Sequence, residues 1–184
     1  MWTHTVSLTA HPSHSHADGS VSPVSELTAT VTLGVSSDLS VDFVLRGEIP
    51  RLRFAPAVAS PQRRATLWQH TCFEVFVKTA LDSQYLEFNF SPSGDWAAYQ
   101  FLGYRTGRCD FDPSRISSRM TGTGADRCCL QAKTHLPNES APLLLNVAAV
   151  IETLDGVKSY WASCHTRAAP DFHDPAAFCL FMDA

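Results

Sequence analysis

The chain has 184 residues, 45% hydrophobic and 17% charged, with fourteen basic against eighteen acidic side chains and a formal charge of -4. That length fills one core, and the acidic balance leaves no footprint for a phosphate backbone, which argues against a nucleic-acid partner. No run approaches the roughly 18 apolar residues of a membrane span, and the start, MWTHTVSLTAHPSHSH, lacks the basic region and apolar run of a signal peptide. The sequence therefore predicts a single cytoplasmic domain over 1–184, with no membrane partner. Six cysteines (Cys72, Cys109, Cys128, Cys129, Cys164 and Cys179) show no CxxC spacing, so reduced thiols are expected.

In chain order, Val6–Ala10 reads as a short strand, followed by a Ser/His/Gly/Pro-rich loop around 11–23. His4, His11, His14 and His16 are close in sequence there, but without a scaffold they read as polar loop rather than a metal site. Ser25–Leu33 and Leu39–Arg46 form a hairpin across GVSSD, since Leu27, Ala29, Val31 and Leu33 alternate with threonines. The Pro/Gln/Arg-rich loop from Ala57 to Ala65 is long enough to cover the edge of a site.

Three consecutive antiparallel strands follow, at Cys72–Thr79, Tyr85–Ser91 and Trp96–Leu102. Phe73, Val75 and Val77 alternate with Cys72, Glu74 and Phe76, and Leu86, Phe88 and Phe90 with Tyr85, Glu87 and Asn89. In the loop Ser91–Asp95, Pro92 presets φ and Gly94 accepts a positive one. Gly103–Pro113 is turn-rich. Ile116–Met120 pairs with Cys128–Leu136. Leu143–Glu152, apolar on both parities, reads as a strand between layers and turns at Leu154-Asp155-Gly156 into Val157–Cys164. Phe178–Met182 is the last strand. No helical periodicity occurs, so the expected class is all-β: an antiparallel β-sandwich, immunoglobulin-like or jelly-roll, of about ten to twelve strands.

Glu74, Glu87 and Asn89 share one parity on neighbouring strands, with Trp68, Trp96, Tyr99 and Trp161 nearby in sequence or on adjacent strands. The bland interpretation is a wet sheet face. The functional one is a surface where aromatics stack on the C–H faces of a sugar while carboxylates and amides bond its hydroxyls. Paired carboxylates also occur in glycoside hydrolases, but that chemistry depends on a separation the sequence does not give. In the tail, WASCHTRAAPDFHDP places His165, Asp171 and His173 within nine positions. They can ligate a divalent metal, or they can hydrogen-bond a loop to the sheet and frame a pocket with Phe172 as the apolar peg, which brings His173 near Glu74 or Asn89. Met120 or Met182 with a histidine can ligate haem, although no CxxCH is present. GxSxG, P-loop and GxGxxG signatures are all missing, so no enzyme is expected.

The segments LWQHTCFEVFV, YLEFNFSPSGDWAAYQF with Tyr104-Arg105, SYWASCH and PDFH together resemble bacterial DOMON-like domains related to type 9 carbohydrate-binding modules, from about Leu33 to Phe181. The resemblance implies a β-sandwich whose members bind sugars or haem. Some relatives look like appendages of cell-wall precursor enzymes. Type 9 modules grip a sugar between two tryptophans, for which Trp68, Trp96 and Trp161 are the candidates here, and haem-binding members use a Met/His pair. The resulting expectation is a non-catalytic domain for a carbohydrate or similar polyhydroxylated molecule. Glu74, Glu87, Asn89 and His173 would supply hydrogen bonds, Trp96, Tyr99 and Trp161 stacking, and Arg105 an anchor for an acidic group. The alternatives are a metal- or haem-binding module and an assembly domain without a small ligand.

Overall fold

The computed structural model describes residues 1–13, 22–137 and 142–182. It is all-β, with only single-turn 3-10 segments besides strands among the described residues. In order, the strands are β1 (Trp2–Ala10), β2 (Val24–Leu33), β3 (Asp38–Gly47), β4 (Cys72–Thr79), β5 (Tyr85–Phe90) and β6 (Trp96–Phe101), followed by β7 (Cys109–Asp110), β8 (Ile116–Thr123), β9 (Arg127–His135), β10 (Leu143–Glu152), β11 (Lys158–Ala162) and β12 (Leu180–Met182). All strand pairs are antiparallel, and hydrogen bonding runs β7-β6-β5-β4-β10-β11-β1-β2-β3-β9-β8, with β12 also on β10. No helix is long and apolar enough to cross a membrane among the described residues.

β1 joins the two halves of this sheet. Trp2–Leu8 pair with β2, whereas Thr9 and Ala10 pair with β11. Its side chains are mostly exposed, so hydrophobic alternation carries no signal for its first half, and the predicted start at Val6 is four residues late. Backbone pairing and cross-strand threonine bonds, Thr3 to Thr32 and Thr5 to Thr30, hold it instead.

The sheet curls so that its halves close over one core. Phe43 of β3 and Phe73 of β4 meet with ring centroids 4.8 Å apart, and Leu27, Val31, Leu45, Val75, Phe88, Leu130, Leu145 and Ile151 fill the same cluster. The predicted meander is present as β4, β5 and β6 in consecutive pairing. Its second connection depends on Gly94, whose φ is +97° and whose absent side chain leaves room for Pro61. The turn-rich stretch after β6 contains the short β7, and β8 runs past Met120 through a bulge into Thr123. Residues 14–21 of the predicted loop, with His14 and His16, lie outside the described residues.

Candidate functional site

Because side chains alternate across a strand, the inward set Phe73, Val75 and Val77 leaves Cys72, Glu74 and Phe76 on the outer face of β4. Register places Asn89 opposite Glu74, Glu87 opposite Phe76, and Tyr99 opposite Glu87. On β10 and β11 the same face carries Ala148, Val150 and Tyr160. This face is covered rather than wet. Phe76, Tyr85, Tyr99, Phe101 and Val150 pack with Phe172 and Phe178 into a second buried cluster, because the segment after β11 folds back over the strands. Asn146 Nδ2 donates to the Phe172 carbonyl at 2.9 Å, and Asp174 accepts from Thr166 Oγ1 at 2.6 Å, from Arg167 Nε and from the Ala176 N–H.

Between that segment, the Tyr104–Arg108 turn and the 3-10 turn at Leu67–Gln69 is a pocket of about 380 Å³. Glu74, Glu87, Arg105, Arg108 and His173 line it together with Trp68, Phe101, Val150, Tyr160, Pro170 and Phe172. Glu74, Glu87 and Asn89 are 3%, 4% and 0% exposed. Asn89 Nδ2 donates to Glu87 Oε1 at 2.6 Å, and the Cys72 thiol makes a weak 3.6 Å contact with Asn89 Oδ1. Glu74 Oε1 is the one buried side-chain polar atom without a hydrogen-bond partner among the described residues. Burial, then the Glu87 charge, pushes the Glu74 carboxyl well above its ordinary range despite Arg105. Glu87 is also raised by burial, against the Asn89 hydrogen bond and the charges of Arg108 and Arg105.

Tyr85 links the wall to the floor. Its hydroxyl is 2.8 Å from His173 Nδ1 and accepts the Arg105 backbone N–H at 3.3 Å. Burial holds the phenol protonated, at about 12, and burial followed by the Arg105 charge pushes His173 down to about 4, so the imidazole is neutral near pH 7. The neutral imidazole carries its single proton on one ring nitrogen, so the Tyr85 hydroxyl donates to Nδ1 in the Nε2–H tautomer and accepts from it in the Nδ1–H tautomer. Nε2 faces Glu87 Oε2 at 3.8 Å, too long for a hydrogen bond.

Arg105 adopts a left-handed φ of 52°, an uncommon conformation away from glycine. Asp171 Oδ1 holds its guanidinium, at 2.7 Å from Nη2 and 3.3 Å from Nε, and accepts the His173 N–H, while Oδ2 accepts from Tyr104 at 2.5 Å. Burial pulls the Asp171 pKa up, but Tyr104 and Arg105 outweigh it and the carboxyl stays below its usual range.

The pocket thus brings together Trp68, Glu74, Glu87, Arg105 and His173, with Asn89, Tyr99 and Asp171 supporting them from behind or beside. Trp68 packs edge-on against Tyr99 at 6.1 Å. His173, expected near Glu74 or Asn89, lines the same pocket as Glu74, and the carboxylate that its ring faces is Glu87, at 3.8 Å. Two tryptophans named from sequence lie elsewhere. Trp96 is on the inner face, with the Arg63 guanidinium 4.6 Å above its ring, and Trp161 is in the core, donating to Ser159 Oγ at 2.9 Å. His165 sits at the flank, bonded to the Thr9 carbonyl and packed on His11, apart from the Asp171 and His173 contacts. No three His, Cys, Asp or Glu side chains converge as a metal site among the described residues. Met182 is buried in the core and Met120 packs against it.

Sequence reasoning missed Tyr160 and Arg108. Tyr160 alternates with Trp161, so placing Trp161 on the outer face concealed it. Arg108, whose guanidinium lies 5.2 Å over the Tyr99 ring, belongs to a turn without periodicity.

Fold and pocket together define an all-β protein with a ligand-sized cavity of polar and aromatic lining on the outer face of its sheet. No family model and no curated protein matches the sequence. Among solved structures, the fold is similar to that of a candidate carbohydrate-binding protein from Bacteroides uniformis, with a TM-score of 0.63 and 14% identity over 95% of this chain and 83% of that one. A weaker likeness, with a TM-score of 0.46 and 12% identity over 85% of this chain and 73% of the other, is to a family 9 carbohydrate-binding module from Caldicellulosiruptor kristjanssonii in complex with glucose. At such identities the first likeness establishes a shared fold alone.

Proposed function

We propose that this is a non-catalytic binding domain for a carbohydrate or similar polyhydroxylated small molecule, a β-sandwich related to DOMON-like domains and type 9 carbohydrate-binding modules, with its ligand in the pocket above β4, β5, β10 and β11. The observation that carries this reading is Glu74 Oε1, buried at the pocket and unpartnered. Leaving such an atom unmet costs about 1–3 kcal/mol, and a ligand hydroxyl would meet it. Hydroxyls both donate and accept, which suits a pocket that offers two carboxyls, an imidazole and two guanidinium groups. Trp68, Tyr160 and Phe172 offer apolar surface to C–H faces of a sugar ring. The fold shared with the Bacteroides uniformis protein supports the same assignment.

Glu74 and Glu87 are diagonal neighbours on β4 and β5, so both approach a ligand from the same side. Glycoside hydrolysis places its carboxyls on either side of the scissile bond, and this arrangement favours binding over cleavage. A thermal-shift screen of neutral sugars, sugar acids, divalent cations and haem tests the reading. A sugar at about 100 times its Kd should stabilise the protein by about 2.7 kcal/mol. A screen in which only metals or haem raise the Tm would contradict it.

A further inference from the structure

Cys164 and Cys179 bracket the segment that walls the pocket. β11 lies along one edge of β10 with Ala162 opposite Ala148, and β12 lies along the same edge with Leu180 opposite Leu145. Extending the first register by two residues brings Cys164 to Asn146, and extending the second back by one residue brings Cys179 to Asn146 as well. The two chain ends therefore converge on one rung of the sheet. Their side chains are neighbours there: Cys179 Sγ lies 3.5 Å from Oγ of Ser163, the residue next to Cys164, and the Cys179 thiol acts on the Cys164 thiol. Both are free thiols, Cys179 exposed and Cys164 half-buried.

We propose that Cys164 and Cys179 form a reversible disulfide that closes the loop 165–178, which carries Asp171, Phe172 and His173. The co-reactant is a low-molecular-weight disulfide. The Cys179 thiolate attacks it, forms a mixed disulfide and releases one small thiol. The Cys164 thiolate then attacks Cys179 Sγ and expels the second small thiol, so two protein thiols are oxidised, one small disulfide is reduced and two protons leave the protein. The exposed Cys179 is the entry point, because burial and then the neighbouring Cys179 raise the Cys164 thiol above its ordinary range. The second step accordingly speeds up as pH rises. Closure ties together the two ends of the pocket wall, a consequence that does not rest on which ligand the pocket takes.

The test is to incubate the reduced full chain with excess oxidised glutathione at about pH 8, where thiolate is available, and to digest it without reductant for mass spectrometry. The expected result is a peptide pair joined through Cys164 and Cys179, with a Tm raised by about 5–10 °C and returned to its starting value by dithiothreitol. Cys179→Ser should show neither the link nor the rise. The proposal is overturned if glutathione stays on Cys179 while Cys164 remains open to alkylation. Pairing of either residue with another cysteine overturns it too, as does a linked protein that melts no higher than the reduced one.

Discussion

Two regions of the same half-sheet bury acidic groups to the same depth and treat them in opposite ways. Around the groove lined by Arg53, Arg64, His70 and Asp95, Asp95 and Glu152 are 5% and 6% exposed, as hidden as Glu74 and Glu87. Asp95 accepts the Gln62 N–H at 2.9 Å and Arg64 Nε at 2.7 Å. Glu152 is 2.8 Å from His70 Nδ1 and 3.7 Å from Arg53 Nε. In the pocket, by contrast, Glu87 is bonded through Asn89 and Glu74 Oε1 has no partner. Depth of burial is the same in the two regions; what differs is whether the hydrogen-bonding capacity of the carboxyl is used within the protein.

Substitutions in each region put that contrast to measurement. The largest effect is expected at Phe172, which covers the pocket face and contacts Phe76 and Tyr160. Phe172→Ala should cost about 3–5 kcal/mol, measured by urea unfolding, and a loss below about 1 kcal/mol would mean that the wall does not depend on that ring. Next is Asp95→Ala, which strands the Gln62 N–H and should cost about 1–3 kcal/mol. If it proved neutral, the paired carboxylate would not be structural.

The smallest effect is expected at Glu74. Glu74→Gln breaks no hydrogen bond at Oε1 and should change stability by less than about 1 kcal/mol near pH 5. Its signature is in pH. The folded pKa of Glu74 lies above the ordinary 4.5, so the stability it contributes is complete below that value and is lost as pH rises through the folded value. Unfolding free energies across that range should show Glu74→Gln gaining on the wild type as pH rises. His173, pushed down to about 4, acts in the opposite sense, with its contribution lost as pH falls from 6.5 through 4, but it is common to both proteins and drops out of the difference. A constant difference with pH would show that Glu74 ionises as freely in the folded chain as in the unfolded one.

The alternation in β4 and β5 made much of this legible, since period two by itself puts Glu74, Glu87 and Asn89 on one side. β4 and β10 match the predicted limits, Cys72–Thr79 and Leu143–Glu152. Alternation does not say what covers a face. Phe76, Tyr85 and Tyr99 share the parity of the carboxyls, and whether they are bathed or buried depends on a segment roughly seventy to a hundred residues away in sequence. Register was the second limit. The inward turn of Trp96 follows from its pairing with Phe90, which the Ser91–Asp95 loop sets and composition does not. Trp161 could not be oriented because β10, its pairing partner, is apolar on both faces.

Whether the pocket that Glu74 and Glu87 line, and not the groove of Asp95, binds a sugar can be measured by calorimetric titration of the sugar giving the largest thermal shift. The titration would be run into wild type, Glu87→Gln and Asp95→Asn. Saturable binding is expected for wild type, weakened more than tenfold, or by about 1.4 kcal/mol, in Glu87→Gln and unchanged in Asp95→Asn. Equal losses in both variants, or undiminished binding in Glu87→Gln, would contradict the assignment.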